Sequence, residues 1–365
     1  MHTPIPTRVD AVGTTTSDLP LGHWSPYTLR PDVSFMPVYR TTTEDYNKRR
    51  LPYKVHVLPR FARQIPVITR RDSCIYTHNV EFTLPFLAIP KHRRPRIVMA
   101  SHGHGGHTSL YSGHLFRFGW FKRLYWRCEA LALREVDALI LVSREGQDWY
   151  SQRFPQLQHK FHRIDNGVDV NHFTARNKQE ARAKLGIPQG VPVIASVGRL
   201  SPQKDLRLSL ETFARLQAVF PTAQLVIAGD GPEQDRVEGI IREQRMGGIK
   251  RLGNIGSSEL PSVYSAADAF LLTSLWEGMP MTLLEALACE VPAVTTSVGE
   301  CPDVLNHGGG AGFVARTRNA DELAALLVRV VSGEYSAEAC RNRALKFSAE
   351  AMANTVTQVV LGDSE

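Results

Sequence analysis

Cysteine is scarce in this chain of 365 residues: Cys74, Cys128, Cys289, Cys301 and Cys340 make an odd number and show no CxxC or other metal spacing. That excludes a disulfide framework and points to free thiols in a reducing compartment. Long apolar runs are also missing. The most apolar one, Ala138 to Val142, is far too short to cross a bilayer, and the first twenty residues lack the apolar core of a secretion leader, so a cytoplasmic protein is expected. No zinc-finger, RNP or helix-turn-helix signature is present, which argues against a nucleic-acid partner.

What the chain does contain is apolar content for two cores, 43 % of residues, and an uneven charge. Residues 1–185 carry 28 Lys and Arg against 15 Asp and Glu, whereas 186–365 carry 15 against 21. A split of this kind marks two units with different partners, and the basic half suits an anionic lipid surface or a pyrophosphate-linked acceptor. Residues 1–52 hold seven prolines and no sustained apolar period, so they read as mostly loop or disorder. From Tyr53 onward short apolar runs alternate with helical stretches, as in a parallel α/β sheet. A polar connection from Phe173 to Gly190 reads as the boundary before a second, clearer series of strands and helices. The expected division is 1–52 as a poorly defined start, 53–175 as a first domain, 176–346 as a second, and 347–365 as a final helix and tail.

Within the second series, Ser274 to Cys289 predicts a strand end, a tight loop and a buried helix starting near Met279 or Pro280. Pro280 has no amide hydrogen to lose and suits a first helical turn after the Gly278 bend. From Met281 to Cys289 the only charge is Glu285, on a helix that is otherwise apolar nearly all round. A carboxylate there must be bonded or face a ligand, and a ligand hydroxyl would serve. Glu277 lies in the loop that feeds the same helix. The free amides and partial positive charge of that terminus, with Met279 and Met281 on either side of Pro280, suit a phosphate. Upstream, the strand Val191 to Val197 ends in Gly198-Arg199, with Lys204 five residues beyond the arginine. Two cations at the carboxyl end of a strand suit a diphosphate.

Taken together, Gly198-Arg199-Leu200 with Lys204, Ala228 to Glu233, Tyr264 to Asp268, Glu277 and Glu285 with seven residues between, and Asn166 to Asp169 resemble the retaining glycosyltransferases of family 4. The resemblance implies the GT-B fold, two Rossmann-like doubly wound domains facing a cleft, with the last helix returning to the first domain. It implies a hexose transferred from a UDP- or GDP-sugar to a glycan or lipid-linked acceptor in surface polysaccharide synthesis, without cofactor. It assigns Arg199 and Lys204 to the leaving diphosphate, Glu277 to hydroxyls of the transferred sugar and Glu285 to the ribose, with Gly198, Gly278, Met279, Pro280 and Met281 around the donor. No DxD-like acidic pair stands before a suitable strand end, so metal dependence is not indicated.

The chain departs from the family's pattern at its start, where relatives have a Gly-Gly turn and this sequence has only isolated Gly13 and Gly22. An incomplete first domain, and a non-catalytic sugar-nucleotide-binding protein, are therefore the alternative expectation. After the strand Arg96 to Ser101, His102 is the residue that the resemblance places near the donor sugar, with His107 in reserve. The three histidines at 102, 104 and 107 could instead bind a metal, although no cysteine lies near. Aromatics and cations interleave from Phe116 to Arg127, as either a lipid-facing surface at the inner membrane face or a helix packing its rings on the sheet.

Overall fold

A computed structural model describes residues 8–12, 15–16, 34–37, 40–41, 73–78, 80–101, 119–305 and 310–362. The chain divides into two compact units, the described residues up to Asn166 together with those from Ala349, and Gly167–Ser348.

The first unit contains a parallel sheet of β1 (Arg8–Val12), β2 (Ser34–Pro37), β3 (Ser73–His78), β4 (Arg96–Ser101), β5 (Ala138–Leu141) and β6 (Phe161–Arg163), in the order β2-β1-β3-β4-β5-β6. Residues that read as loop in the sequence thus supply two strands. Val9 lies in register with Phe35 on one side and Cys74 on the other. A five-residue stretch with two charged positions shows little periodicity by itself, and pairing with neighbours on both edges overrides that weak local preference. The expected strand from Tyr53 to Leu58 and the histidines at 102, 104 and 107 lie outside the described residues.

Helix α1 (Gly119–Glu135) packs Ala132 and Leu133 into the core beside β4 and β5. Its other side is exposed: Trp120, Leu124 and Leu131 are 64, 50 and 51 % accessible, and Arg123, Arg127 and Arg134 are exposed with them. Spacing of 4, 7 and 11 residues from Trp120 keeps Leu124, Arg127 and Leu131 on one stripe of the helix. Trp126 behaves differently, being half-buried with the Arg153 guanidinium 4.6 Å above its ring. The last helix, α2 (Ala349–Leu361), lays Met352, Val356 and Val360 on Tyr76, Val98 and Ile140 of this sheet, and Arg96 donates to the Val359 carbonyl at 3.1 Å.

The second unit has six parallel strands: β7 (Val193–Val197), β8 (Gln224–Ala228), β9 (Ile249–Gly253), β10 (Ala269–Leu272), β11 (Ala293–Thr296) and β12 (Gly312–Ala315). Their order is β9-β8-β7-β10-β11-β12, so the winding reverses between β7 and β10. At such a switch point the loops after the two strands diverge to opposite faces and leave room for a ligand at the carboxyl ends. The α/β class with two doubly wound, Rossmann-like units is therefore as read from the sequence.

The unit begins earlier than the polar connection suggested. Val168 donates its amide to Phe347 at 2.8 Å and bridges Ser348, while Phe173 is buried edge-on against Tyr264. Those contacts hold 167–173 to the second core, which the local polarity of the segment does not reveal.

Candidate functional site

Strand β7 runs into Gly198, whose φ of +144° is open to glycine at little cost. The neighbouring loop presses on it: a Cβ on Gly229 would stand 2.0 Å from the Gly198 carbonyl oxygen, and one on Gly231 would stand 2.2 Å from that of Leu200. Leu200 donates to the Asp230 carbonyl at 2.9 Å and Glu233 returns a bond to Leu200 at 3.0 Å. The two glycines of Ala228 to Glu233 thus let two strand-end loops touch backbone to backbone, which fixes where Arg199 emerges. Arg199 is exposed, and its guanidinium meets no hydrogen-bond or ion-pair partner among the described residues. A shallow hollow lies at this end of the sheet, lined among others by Gly198, Arg199, Lys204 and Thr273.

Lys204 ends the short turn Pro202–Lys204 in the same segment and bonds Glu277 at 2.7 Å. Glu277 is buried, and its Oε1 also accepts the Ser274 hydroxyl at 2.5 Å, while Gln203 reaches its Oε2 at 3.3 Å and the Trp276 carbonyl at 2.9 Å. A carboxylate with that set of donors stays in one orientation, since each bond fixes a different lone pair. Gln203, Ser274 and Lys204 together therefore set Glu277. Ser274 and Gln203 carry no motif signal of their own; only their closeness to Glu277 and Lys204 in the chain could have suggested them.

Helix α3 (Met281–Ala288) follows, with Pro280 at its cap in extended conformation, so it starts one or two residues later than the sequence suggested. It is anchored by Leu283, Leu284 and Leu287, all fully buried, each contributing roughly 1.5–3 kcal/mol by burial. The amides of Met281 and Thr282 find no acceptor among the described residues, and the buried Thr282 hydroxyl has no partner there. Met279 is buried, and the Gly278 carbonyl accepts the Glu300 amide at 3.0 Å. Gly299 makes that approach possible, with φ of +49° and space for no Cβ, which would lie 2.2 Å from the Gly278 oxygen.

Glu285 lies one turn into α3. The hydroxyl of the fully buried Tyr264 donates to its Oε2 at 2.6 Å. Burial raises the Glu285 carboxyl above its ordinary value, and the Tyr264 bond and the positive fields of His172 and Lys204 only partly oppose this. The same burial, with the Glu285 charge beside it, lifts the Tyr264 phenol well above its own ordinary value and keeps it a donor. Tyr264 was visible in the sequence as part of a motif, but its bond to Glu285 was not. Within this unit the structure brings Gly198, Arg199 and Lys204 together with Glu277, Gly278 and the start of α3, and puts Glu285 on the same helix.

Residues 177–347 match the family described as Glycosyl transferases group 1, and 26–172 match Glycosyltransferase Family 4. The chain belongs to that family. Among curated relatives, a GDP-mannose-dependent monoacylated alpha-(1-6)-phosphatidylinositol monomannoside mannosyltransferase of Corynebacterium glutamicum is 28 % identical over 54 % of this chain and 53 % of its own length. An Escherichia coli UDP-Gal:alpha-D-GlcNAc-diphosphoundecaprenol alpha-1,3-galactosyltransferase is 29 % identical over 61 % of this chain and 59 % of its own. The chain thus spans little more than half the length of these two relatives. Among solved structures, Anabaena HepE, determined with UDP-glucose, superposes with a TM-score of 0.72 at 19 % identity over 97 % of this chain and all of that one. That likeness is one of fold.

No described group of three His, Cys, Asp or Glu is placed to hold a metal ion, and no described helix is long and apolar enough to cross a membrane.

Proposed function

We propose that this protein is a retaining glycosyltransferase that moves a hexose from a UDP- or GDP-sugar to a glycan or lipid-linked acceptor in surface polysaccharide synthesis. The observation that carries the reading is the convergence of Arg199, the Lys204–Glu277 pair and the open amides of α3 at the switch point of the second sheet. Breaking the donor's glycosidic bond leaves charge on the diphosphate. Arg199 offers it a planar fork, Lys204 a point charge and Met281 and Thr282 their amides, so this set can hold the leaving group without a metal. Glu277, held rigidly, accepts hydrogen bonds from the transferred sugar, and Glu285 accepts them from the ribose. Neither is assigned as a covalent nucleophile. His102 is retained as the first domain's contribution to the donor sugar.

Screening UDP- and GDP-sugars for a rise in Tm of the purified chain tests the donor. A ligand that binds only the native state raises stability by mass action, about 2.7 kcal/mol at a hundred times Kd. One nucleotide series should raise Tm and the other should not. No rise with any nucleotide sugar would overturn the reading, and a rise without transfer would favour a binding protein.

A lipid-linked acceptor would bring the enzyme to the inner face of the membrane, and the exposed stripe of α1 supports that site of work. Rings and leucines suit the headgroup zone, while Arg123, Arg127 and Arg134 suit anionic lipid. Vesicles containing phosphatidylglycerol should sediment the protein at low salt and release it at high salt, with a blue shift in Trp120 emission. Replacing the three arginines by Gln should abolish sedimentation without changing Tm. Equal binding to neutral vesicles, or none at low salt, would remove the membrane from the proposal.

A further inference from the structure

Arg318 lies in the loop after β12, far along the chain from both site cations. Its guanidinium is held by three acceptors. It donates to the carbonyls of Thr273, at 3.0 Å, and Ser274, and to Asp205 Oδ2 at 2.6 Å. Thr273 and Ser274 are the first residues past β10, on one side of the switch point; Asp205 directly follows Lys204, on the other. Arg318 therefore ties the two sides of the site together.

The corner it holds is one that the backbone resists. Asp205 has φ of +44°, a left-handed conformation that costs a non-glycine residue energy and persists only where surroundings enforce it. The enforcement is visible. Asp205 accepts the Leu208 amide at 3.4 Å as the N-cap of the helix Leu206–Val219, and the Thr273 hydroxyl bonds the Lys204 and Asp205 carbonyls at 3.0 and 3.1 Å. Arg318 grips both Asp205, by its carboxylate, and Thr273, by its carbonyl. On the other side, the Ser274 whose carbonyl it holds is the residue whose hydroxyl bonds Glu277. A planar fork spans acceptors in fixed directions in a way that an ammonium cannot.

We infer that Arg318 is a positioning residue that sets the Lys204 corner and the Ser274–Glu277 contact in register, and so determines how strongly the second phosphate of a nucleoside diphosphate is bound. The inference rests on the donor reading above, and the two fail in distinguishable ways.

Calorimetry on the wild type, Arg318→Met, Arg318→Lys and, as a control on the same loop, Arg316→Met should be run with UDP, GDP and their monophosphates, well below each variant's Tm. The wild type should bind one nucleoside diphosphate more tightly than its monophosphate. In Arg318→Met that advantage should fall about tenfold or more, while monophosphate affinity stays within twofold, because the mispositioned Lys204 is the group lost. Arg318→Lys should recover little of it, and Arg316→Met should match the wild type. A merely structural role would lower Tm and leave the diphosphate advantage of the folded variant intact, and that result would overturn the inference. Full recovery in Arg318→Lys would do the same, since charge alone would then suffice. If the wild type shows no preference for either diphosphate, the donor reading fails first.

Discussion

Arg199→Ala and Lys204→Ala should each lower sugar transfer by about a hundredfold or more in kcat, because both cations are proposed to face charge that grows as the glycosidic bond breaks. The two variants should differ in stability. Arg199 is exposed and its guanidinium meets no partner among the described residues, so truncating it should leave Tm unchanged. Lys204 is the counter-ion of a buried carboxylate, and removing one member of such a pair strands the other charge, at a cost of about 3–5 kcal/mol where no other donors compensate. Ser274 and Gln203 still donate to Glu277, so a smaller fall in Tm is expected. Rates must therefore be compared at a temperature where Lys204→Ala is fully folded. Full activity in either variant would sink the leaving-group assignment. EDTA should leave the wild-type rate unchanged, and loss restored by manganese would count against cations standing in for a metal.

The second large effect separates the two glutamates. Glu277→Gln should spare binding of the bare nucleoside diphosphate and reduce transfer by about a hundredfold, since Glu277 is proposed to touch the sugar. Glu285→Gln should weaken the nucleoside diphosphate and its sugar conjugate alike. Equal losses on both ligands in both variants would contradict separate roles. Glu285 also leaves a mark on stability in the absence of ligand. Its carboxyl is raised in the folded state, so between the ordinary carboxyl range and that raised value the native state binds more protons than the unfolded chain. Stability must then fall as pH rises through that window, the reverse of an ion-paired carboxylate. Glu285→Gln should remove that part of the decline, and identical Tm profiles for the wild type and Glu285→Gln would refute it.

Much of this site was legible because its parts are local. A strand ending in Gly-Arg, a Gly-Pro entry to an apolar helix and a lone carboxylate inside it each state their chemistry within a few residues, and the helix forms as its apolar positions require. What sequence could not supply were bonds between residues far apart in the chain. Lys204 to Glu277 arises because parallel strands bring separate loops to one end of a sheet, and Tyr264 to Glu285 because the helix Leu260–Ala266 packs beside α3. Arg318 is the extreme case: nothing around it in the chain marks it, and its bonds to Asp205, Thr273 and Ser274 form only because β12 returns to the sheet that carries β7 and β10.

The alternation of strands and helices from residue 73, the family motifs and the uneven charge were legible from residue order alone, since period and turn chemistry are properties of neighbours. Tertiary structure decided the rest. It placed Arg8–Val12 inside the first sheet despite weak local periodicity, because hydrogen bonding to strands on both sides outweighs the preference of five residues. It assigned Val168 to Phe173 to the second core, because burial against Tyr264 and pairing with the Phe347–Ser348 segment hold them there. It also turned Trp120 outward and partly buried Trp126, a choice made by which face of the helix the sheet covers.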